Sequence, residues 1–523
     1  MAGHCKYSCT TAAETLEWIT AIIAFIEPYH SLINSHVVNF FSHRLWESLD
    51  QQWIDCLRHE PVQNLLLIPS GVVQDHWPLS LKQFVSTLKS LALPRHQTNL
   101  SKVFPGMETT PLNSVLAQGM NSKKKHEVEI LSALVSSVAN SVGGQTIVDV
   151  GAGQGYLAQV LSFQYRHQVV AIDACSHHGN VTNSRAERIK KHYMAQSRKS
   201  GSGNGIPNVP KTITGRVMSI EMLKELSGMS LRDDSVEQPE VIQKVEESEA
   251  SLVLAGLHAC GNLSITMLKT FSECENVKAV ISIGCCYNLL SEACFDTFGS
   301  QCGFPVSGGV KSTGIALGKS ARDLACQVLY KYYPKVATNT PSIGRQGKAL
   351  RRQHQRKVLE LSLNREESEC SSLSHEVSNV KTSSVSLQPV ESDKDENSGW
   401  LLNANTLSHG DYCNGNIQHE ATAEADKYVL FEKFSESGLS RLGLKPLHEI
   451  DFWGIWKEAE PFAELIGPYW SLRAAFGPLL ETLLLLDRLL FLQEQGSSYE
   501  AVMLPIFDPA LSPRNVAIIA KRT

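Results

Sequence analysis

The chain has 523 residues, 42% hydrophobic and 19% charged, which is too long for one ordinary core and fits globular folding. A net charge of −5 excludes a global basic field, so any nucleic-acid contact must come from a local patch. Thirteen cysteines, an odd number, follow an N-terminus, "MAGHCKYSCTTAAETLEW", with no basic segment and apolar core, so reduced intracellular thiols are expected rather than a secreted disulfide framework.

Residues 1–118 read as an α-helical N-terminal module. "ETLEWITAIIAFIEPY" and "VVNFFSHRLWESLDQQWIDCL" carry apolar residues at helical spacing, and Pro61, Pro69, Pro78 and Pro94 punctuate the region. Residues 119–345 change pattern. A helix, "SKKKHEVEILSALVSSVANSV", leads to the strand "QTIVDV", a glycine turn, the helix "GYLAQVLSFQY", the strand "QVVAID" and a helix around "SRAERIKKHYMAQ". Loops are expected over 197–210 and 228–250, then two apolar strands, "SLVLAGL" and "KAVISIG", each leading into a helix. Alternating strands and helices mark a parallel sheet with helical crossovers.

Residues 346–427 are expected to hold a basic helix and a disordered insertion. Arg345, Lys348, Arg351, Arg352, Arg356 and Lys357 lead into a stretch rich in Ser, Glu, Asn and Asp that buries too little apolar surface to order itself. Residues 428–523 return to order and complete the α/β domain. "SLRAAFGPLLETLLLLDRLLFL" looks membrane-like, yet Arg473, Glu481, Asp487 and Arg488 interrupt it, and each charge at mid-membrane costs about 2.5–3.5 kcal/mol, so a buried helix is expected. The final "YEAVMLPIFDPALSPRNVAIIAKR" reads as an antiparallel hairpin.

"TIVDVGAGQGYL", Thr146 to Leu157, carries the chemistry. Glycine lets the chain turn sharply and a ligand approach the backbone, while the following helix start offers free N–H groups. A dinucleotide loop wants G-x-G-x-x-G, and counting from Gly151 the last glycine falls at Tyr156, so that match fails. Asp149, Gly151, Gly153 and Gly155 instead resemble the S-adenosyl-L-methionine loop of class I methyltransferases. A ribose-binding carboxylate is then expected at the end of the next strand, where Asp173 stands 18 residues after Gly155.

The runs "KKKHEVE" (123–129), "VDVGAGQGYL", "GLHACGNLS" (256–264), "IGCCYNLL" (283–290), "FPVS" (304–307) and "PIFDPALSPRN" together resemble the methyltransferase-like protein 25 family. That group includes proteins with a ribosomal RNA adenine dimethylase label. The resemblance implies an α/β fold: a Rossmann-like class I methyltransferase sheet with a C-terminal antiparallel hairpin, preceded by the helical module. It also implies S-adenosyl-L-methionine as cofactor. "LHACG" and "GCC" are similar to a transfer-RNA ribose methyltransferase family, which points to RNA. The family often has Asp where Asn262 stands; a catalytic carboxylate there would be lost, whereas a turn-forming one is replaceable by Asn.

Ligands of an open α/β sheet bind at the carboxyl ends of its strands. His258 and Tyr287 are the candidate catalytic residues there, with Cys260, Cys285 and Cys286 beside them. The Asn/Asp-Pro-Pro-aromatic loop of adenine N-methylation is missing, since His258-Ala259-Cys260-Gly261 occupies its place. Cysteine attack on a pyrimidine carbon lacks its usual Pro-Cys and Thr-Cys contexts. Zinc suits the residue types, but H-x-C and C-C are not ordinary zinc spacings, so no metal is expected. The resemblance implies that one lysine of Lys123–Lys125, or Glu127, reaches the pocket; a solvated helix start accounts for them equally. The reading is a methyltransferase acting on RNA through the basic run 345–357, or on a protein, with no membrane and no DNA partner, in cytoplasm or nucleus. A cofactor-binding but catalytically silent scaffold is the alternative.

Overall fold

The apolar runs pair into one sheet. In the computed structural model, which describes residues 7–36, 39–200, 208–215, 251–292, 303–327 and 450–523 with short pieces between 428 and 440, the strands are β1 (Thr146–Val150), β2 (Gln168–Asp173), β3 (Lys211–Thr214), β4 (Leu252–Ala259), β5 (Val277–Gly284), β6 (Tyr499–Pro505) and β7 (Val516–Arg522). The basic run 345–357 and the insertion expected over 346–427 lie outside the described residues. The strand order is β3-β2-β1-β4-β5-β7-β6, with β1 to β5 parallel, β7 antiparallel to β5 and β6 antiparallel to β7. This is the α/β sheet with a C-terminal hairpin expected above. Its strand order reverses between β1 and β4, so the loops leaving those two strands diverge and open a crevice at their carboxyl ends.

The longer helices are α1 (Ala12–Ile26), α2 (Gln51–Arg58), α3 (Leu79–Leu91), α4 (Ser122–Ser141), α5 (Tyr156–Phe163), α6 (Ser176–Ser200), α7 (Leu263–Glu273), α8 (Gly318–Ala325), α9 (Phe452–Ala463), α10 (Ile466–Ala474) and α11 (Gly477–Gln493). Strands β1 and β4 are apolar without alternation because helices cover both faces. Leu131 and Leu134 of α4 and Leu157 and Leu161 of α5 pack on Ile147, Val253 and Ile281. On the other face Gly256 leaves room for Met267 of α7, whose sulfur would be 2.8 Å from an added Cβ.

Described residues within 1–36, 45–340 and 465–523 form one compact unit, and those within 37–44 and 341–464 a second. The first unit holds the N-terminal helices together with the sheet. Thr11 and Glu14 close a capping box at the start of α1. Thr15 Oγ1 donates to Gln493 Oε1 at 2.7 Å, Trp18 Nε1 to the Leu91 carbonyl at 2.8 Å, and Thr98 N to the Pro505 carbonyl at 2.8 Å. Phe25, Tyr29, Phe84 and Phe476 form an aromatic cluster where these helices meet the start of α11. In the second unit, Asp451 caps α9 by accepting from Gly454 N, and Tyr428 meets the edge of Trp453.

The membrane-like run is α10 and α11, and its four charges are buried and partnered. Arg473 donates to the Ile33 carbonyl, and Arg95 and Arg514 both pair with Glu481. Asp487 accepts from the amides of Val306 and Ser307 and from the Ser307 hydroxyl, while Arg488 lies over the Tyr287 ring. Among the described residues no helix is long and apolar enough to cross a membrane.

Candidate functional site

The bend after β1 needs left-handed backbone three times: Gly151 at φ 73°, Gly153 at φ 55° and Gly155 at φ 68°. The reasons differ. At Gly155 an added Cβ would lie 2.3 Å from Thr182 of α6, whereas at Gly153 it would meet nothing within 4 Å, so that position faces open space. The Ile172 carbonyl accepts from both Gly151 N and Ala152 N, tying the bend to β2.

Asp173 closes the far side. Its Oδ2 accepts from Gly153 N at 2.8 Å and its Oδ1 from Cys175 N and His178 Nδ1, each at 2.9 Å. Burial pushes this carboxyl up, but the hydrogen bonds outweigh it and hold the group below the usual carboxylate range. An ionised carboxylate has about four acceptor positions, so Asp173 keeps capacity for a further donor.

Asp149 differs from expectation. It is 2% exposed, beneath the bend, and its Oδ2 accepts from Ala158 N at 3.1 Å in the first turn of α5. It anchors the helix start from below instead of facing the crevice. Burial pushes its carboxyl up to about 7. A carboxyl raised on folding stabilises the fold fully below its unfolded pKa and loses that contribution as pH rises through the folded value. Relative to the parent, Asp149→Asn is therefore expected to gain about 3 kcal/mol of unfolding free energy between about pH 5 and about pH 8. Urea unfolding at the two pH values checks this, and a difference independent of pH refutes it.

β4 ends in a register shift between Leu257 and Ala259, and the residue within it, His258, has φ 64°. Bulges re-aim side chains, and a non-glycine residue held at positive φ marks strain kept by its surroundings. Here the bulge turns His258 Nε2 toward Glu127 Oε1 of α4 at 3.1 Å. The same oxygen accepts from Lys123 Nζ at 2.6 Å and from Ser512 Oγ, in the hairpin loop, at 2.7 Å. Glu127 is fully buried, and its Oε2 makes no hydrogen bond, with Lys124 Nζ 3.7 Å away. Burial would raise its carboxyl, but His258, Lys123 and Ser512 outweigh that and hold it at about 2. Beside His258, Cys260 Sγ lies 3.1 Å from Cys285 Sγ and 3.3 Å from Cys286 Sγ. The neighbouring Cys285 thiol draws Cys260 down to about 6.

Residues 123–293, from the first turn of α4 to just beyond the second strand-end loop, match the family described as a methyltransferase domain. A methyltransferase domain is present. The matched span contains the glycine bend, Asp173, His258 and the three cysteines. Across 99% of its length the chain is also similar to "Probable methyltransferase-like protein 25" of Mus musculus, at 22% identity, and of Homo sapiens, at 23%, each covered over 99%. The resemblance carried by the short runs thus extends along the whole chain. No solved structure matches.

Within the methyltransferase domain Tyr287 departs from the substrate-side role expected of it. It is 1% exposed, and its hydroxyl donates inward to Glu481 Oε1 at 2.9 Å, with Arg488 and Arg514 over its ring. Burial pushes its hydroxyl well above the usual range, so it braces the end of β5 from within. Asn262 bridges to Ser291, donating to Oγ at 2.7 Å and accepting from N at 2.9 Å, so it ties the start of α7 to the segment after β5. The sequence offered Glu127 for the pocket as one of two alternatives, but gave no place in it to Ser512. The Lys123–Glu127 spacing of four was a visible signal for the first; Ser512 is 385 residues from Glu127 and left none.

Proposed function

We propose that this chain transfers a methyl group from S-adenosyl-L-methionine to RNA. The observation that carries the cofactor assignment is the pairing of an open, left-handed Gly153 with the Asp173 carboxylate at the carboxyl ends of β1 and β2, beside the reversal point of the sheet. Gly151 and Gly153 let the ligand lie close to the backbone, Gly155 seats the bend on α6, and Asp173 accepts from a ribose hydroxyl. Asp149 acts on the cofactor indirectly, by fixing the start of α5. The cofactor, when bound, supplies a methyl group on a positively charged sulfur.

On the acceptor side, His258 donates from Nε2 to Glu127, which leaves Nδ1 as the basic nitrogen for a proton from the accepting group. Glu127 and the bulge orient that ring. Lys123 and Lys124, both part-exposed beside Glu127, suit a polyanion and favour RNA over protein as the acceptor.

The test uses the purified full chain, labelled cofactor and separated cellular RNA and protein. Label in RNA that disappears on ribonuclease treatment is expected. Label in protein alone replaces the acceptor, and calorimetric binding of the demethylated cofactor without any transfer supports the silent scaffold. Absence of binding overturns the whole reading.

A further inference from the structure

We propose that Cys260, Cys285 and Cys286 bind one thiophilic metal ion, zinc(II), through three thiolates, leaving a fourth coordination position open toward the crevice. The inference stands apart from methyl transfer and uses residues that the proposed chemistry leaves unassigned.

Three sulfurs from two strand ends form a triangle with near-equal sides: 3.1 Å for Cys260–Cys285, 3.3 Å for Cys260–Cys286 and 3.5 Å for Cys285–Cys286. Around a tetrahedral zinc with Zn–S bonds of about 2.3 Å the sulfurs stand about 3.8 Å apart. Each side therefore has to widen by well under an ångström. A disulfide, by contrast, needs one side to close to about 2.05 Å and leaves the third sulfur without a role.

Adjacent cysteines on a strand would point to opposite faces, which is why their spacing argues against a common ligand. The backbone removes that objection. β5 ends at Gly284, and Cys286, at φ −86° and ψ 75°, is the centre of an inverse γ-turn closed by Tyr287 N donating to the Cys285 carbonyl at 3.0 Å. The turn breaks the alternation and brings both sulfurs to one side. The third ligand is brought in by close backbone contact: at Gly261, φ 53°, an added Cβ would lie 2.7 Å from the Leu289 carbonyl oxygen, so the end of β4 is pressed against the segment that follows Cys286.

The neighbouring donors are otherwise engaged. His258 Nε2 is on Glu127 and its Nδ1 is the nitrogen assigned above to the acceptor's proton, while Cys326 Sγ faces Asn288 Oδ1 and the Cys285 carbonyl. Three protein ligands and one open position are the arrangement of zinc sites that bind water or an external ligand. Binding releases the thiol protons, and three thiolates with zinc(II) carry one net negative charge. Arg488, packed behind Gly284 and interacting electrostatically with Cys285, offsets it. Cys260 is exposed and the other two are half-buried, so the ion has access from solvent.

The test takes the full chain, purified without chelator or histidine tag, and measures metal by plasma mass spectrometry. About one zinc per chain is expected, falling below about a fifth in Cys260→Ser and in Cys286→Ser but not in Cys56→Ser. Cobalt(II), added to chelator-stripped wild-type chain, is expected to give a thiolate charge-transfer band in the near ultraviolet and intense tetrahedral bands in the visible. The cobalt spectrum needs no variant, so a misfolded Ser variant does not protect the proposal. A folded wild-type chain with neither zinc nor the cobalt spectrum overturns it, as does a Cys260 disulfide to Cys285 or Cys286 found by non-reducing peptide mapping of freshly isolated chain.

Discussion

Asp173→Ala is expected to weaken binding of the demethylated cofactor by about 10- to 100-fold, since a hydrogen bond to a charged acceptor contributes about 1.5–3 kcal/mol and the carboxylate has one acceptor position left for a ribose hydroxyl. Methyl transfer at fixed cofactor falls with it. The side chain also holds Gly153 N, Cys175 N and His178, so loss of binding through a collapsed loop has to be separated from loss of a contact. Asp173→Asn separates them. Its amide oxygen still accepts one backbone N–H, while its NH2 group presents donors to the ribose hydroxyls and removes the charge. The Asn variant is expected to unfold within about 2 °C of the parent and still bind at least about tenfold more weakly. Calorimetry of both variants, alongside thermal unfolding, makes the comparison. Unchanged affinity in Asp173→Ala removes the ribose role.

What the sequence disclosed and what it hid divide along the range of the interactions. The β1 bend, Asp173 and the final hairpin were legible because each is local: glycines after an apolar run, a carboxylate ending the next strand, two β-rich runs around a Pro/Asp/Ser turn. The long helix α11 was legible as buried because charges within it forbade a membrane, although nothing local named their partners. Lys211–Thr214 was missed as a strand: four residues, exposed at both ends, on the sheet edge, show no apolar pattern. Asp149 and Tyr287 were placed at the strand ends, but nothing local showed that both turn inward. Which way a side chain turns at a strand end depends on bends that periodicity does not encode. The cysteine triangle was hidden for the same reason, because an inverse γ-turn at Cys286 overrides strand alternation.

The largest effect on stability is expected at Glu481. This carboxylate, from the second turn of α11, receives Arg95 Nη2 at 2.7 Å, Arg514 Nη1 at 2.7 Å and the Tyr287 hydroxyl at 2.9 Å. It thereby joins the segment after α3, the hairpin loop and the end of β5 at one buried point. Burial alone would raise its pKa, but the two guanidinium groups outweigh that and keep it ionised. Glu481→Gln keeps the shape and removes the charge, leaving two buried guanidinium groups facing each other without a counter-ion. Removing one partner of a buried ion pair costs about 3–5 kcal/mol, and here two pairs share the partner, so the upper end is expected. Arg95→Met is expected to cost less, because the Arg514–Glu481 pair survives it and one buried cation is gone. Combining Glu481→Gln with Arg95→Met should then recover part of the loss, so that the double variant is more stable than the sum of the two single effects implies. Denaturant unfolding of the three variants, with the slope compared to check that the same transition is followed, tests this. A cost below about 1 kcal/mol for Glu481→Gln, the range of exposed pairs, would mean that water reaches the cluster and that it does not tie these segments together.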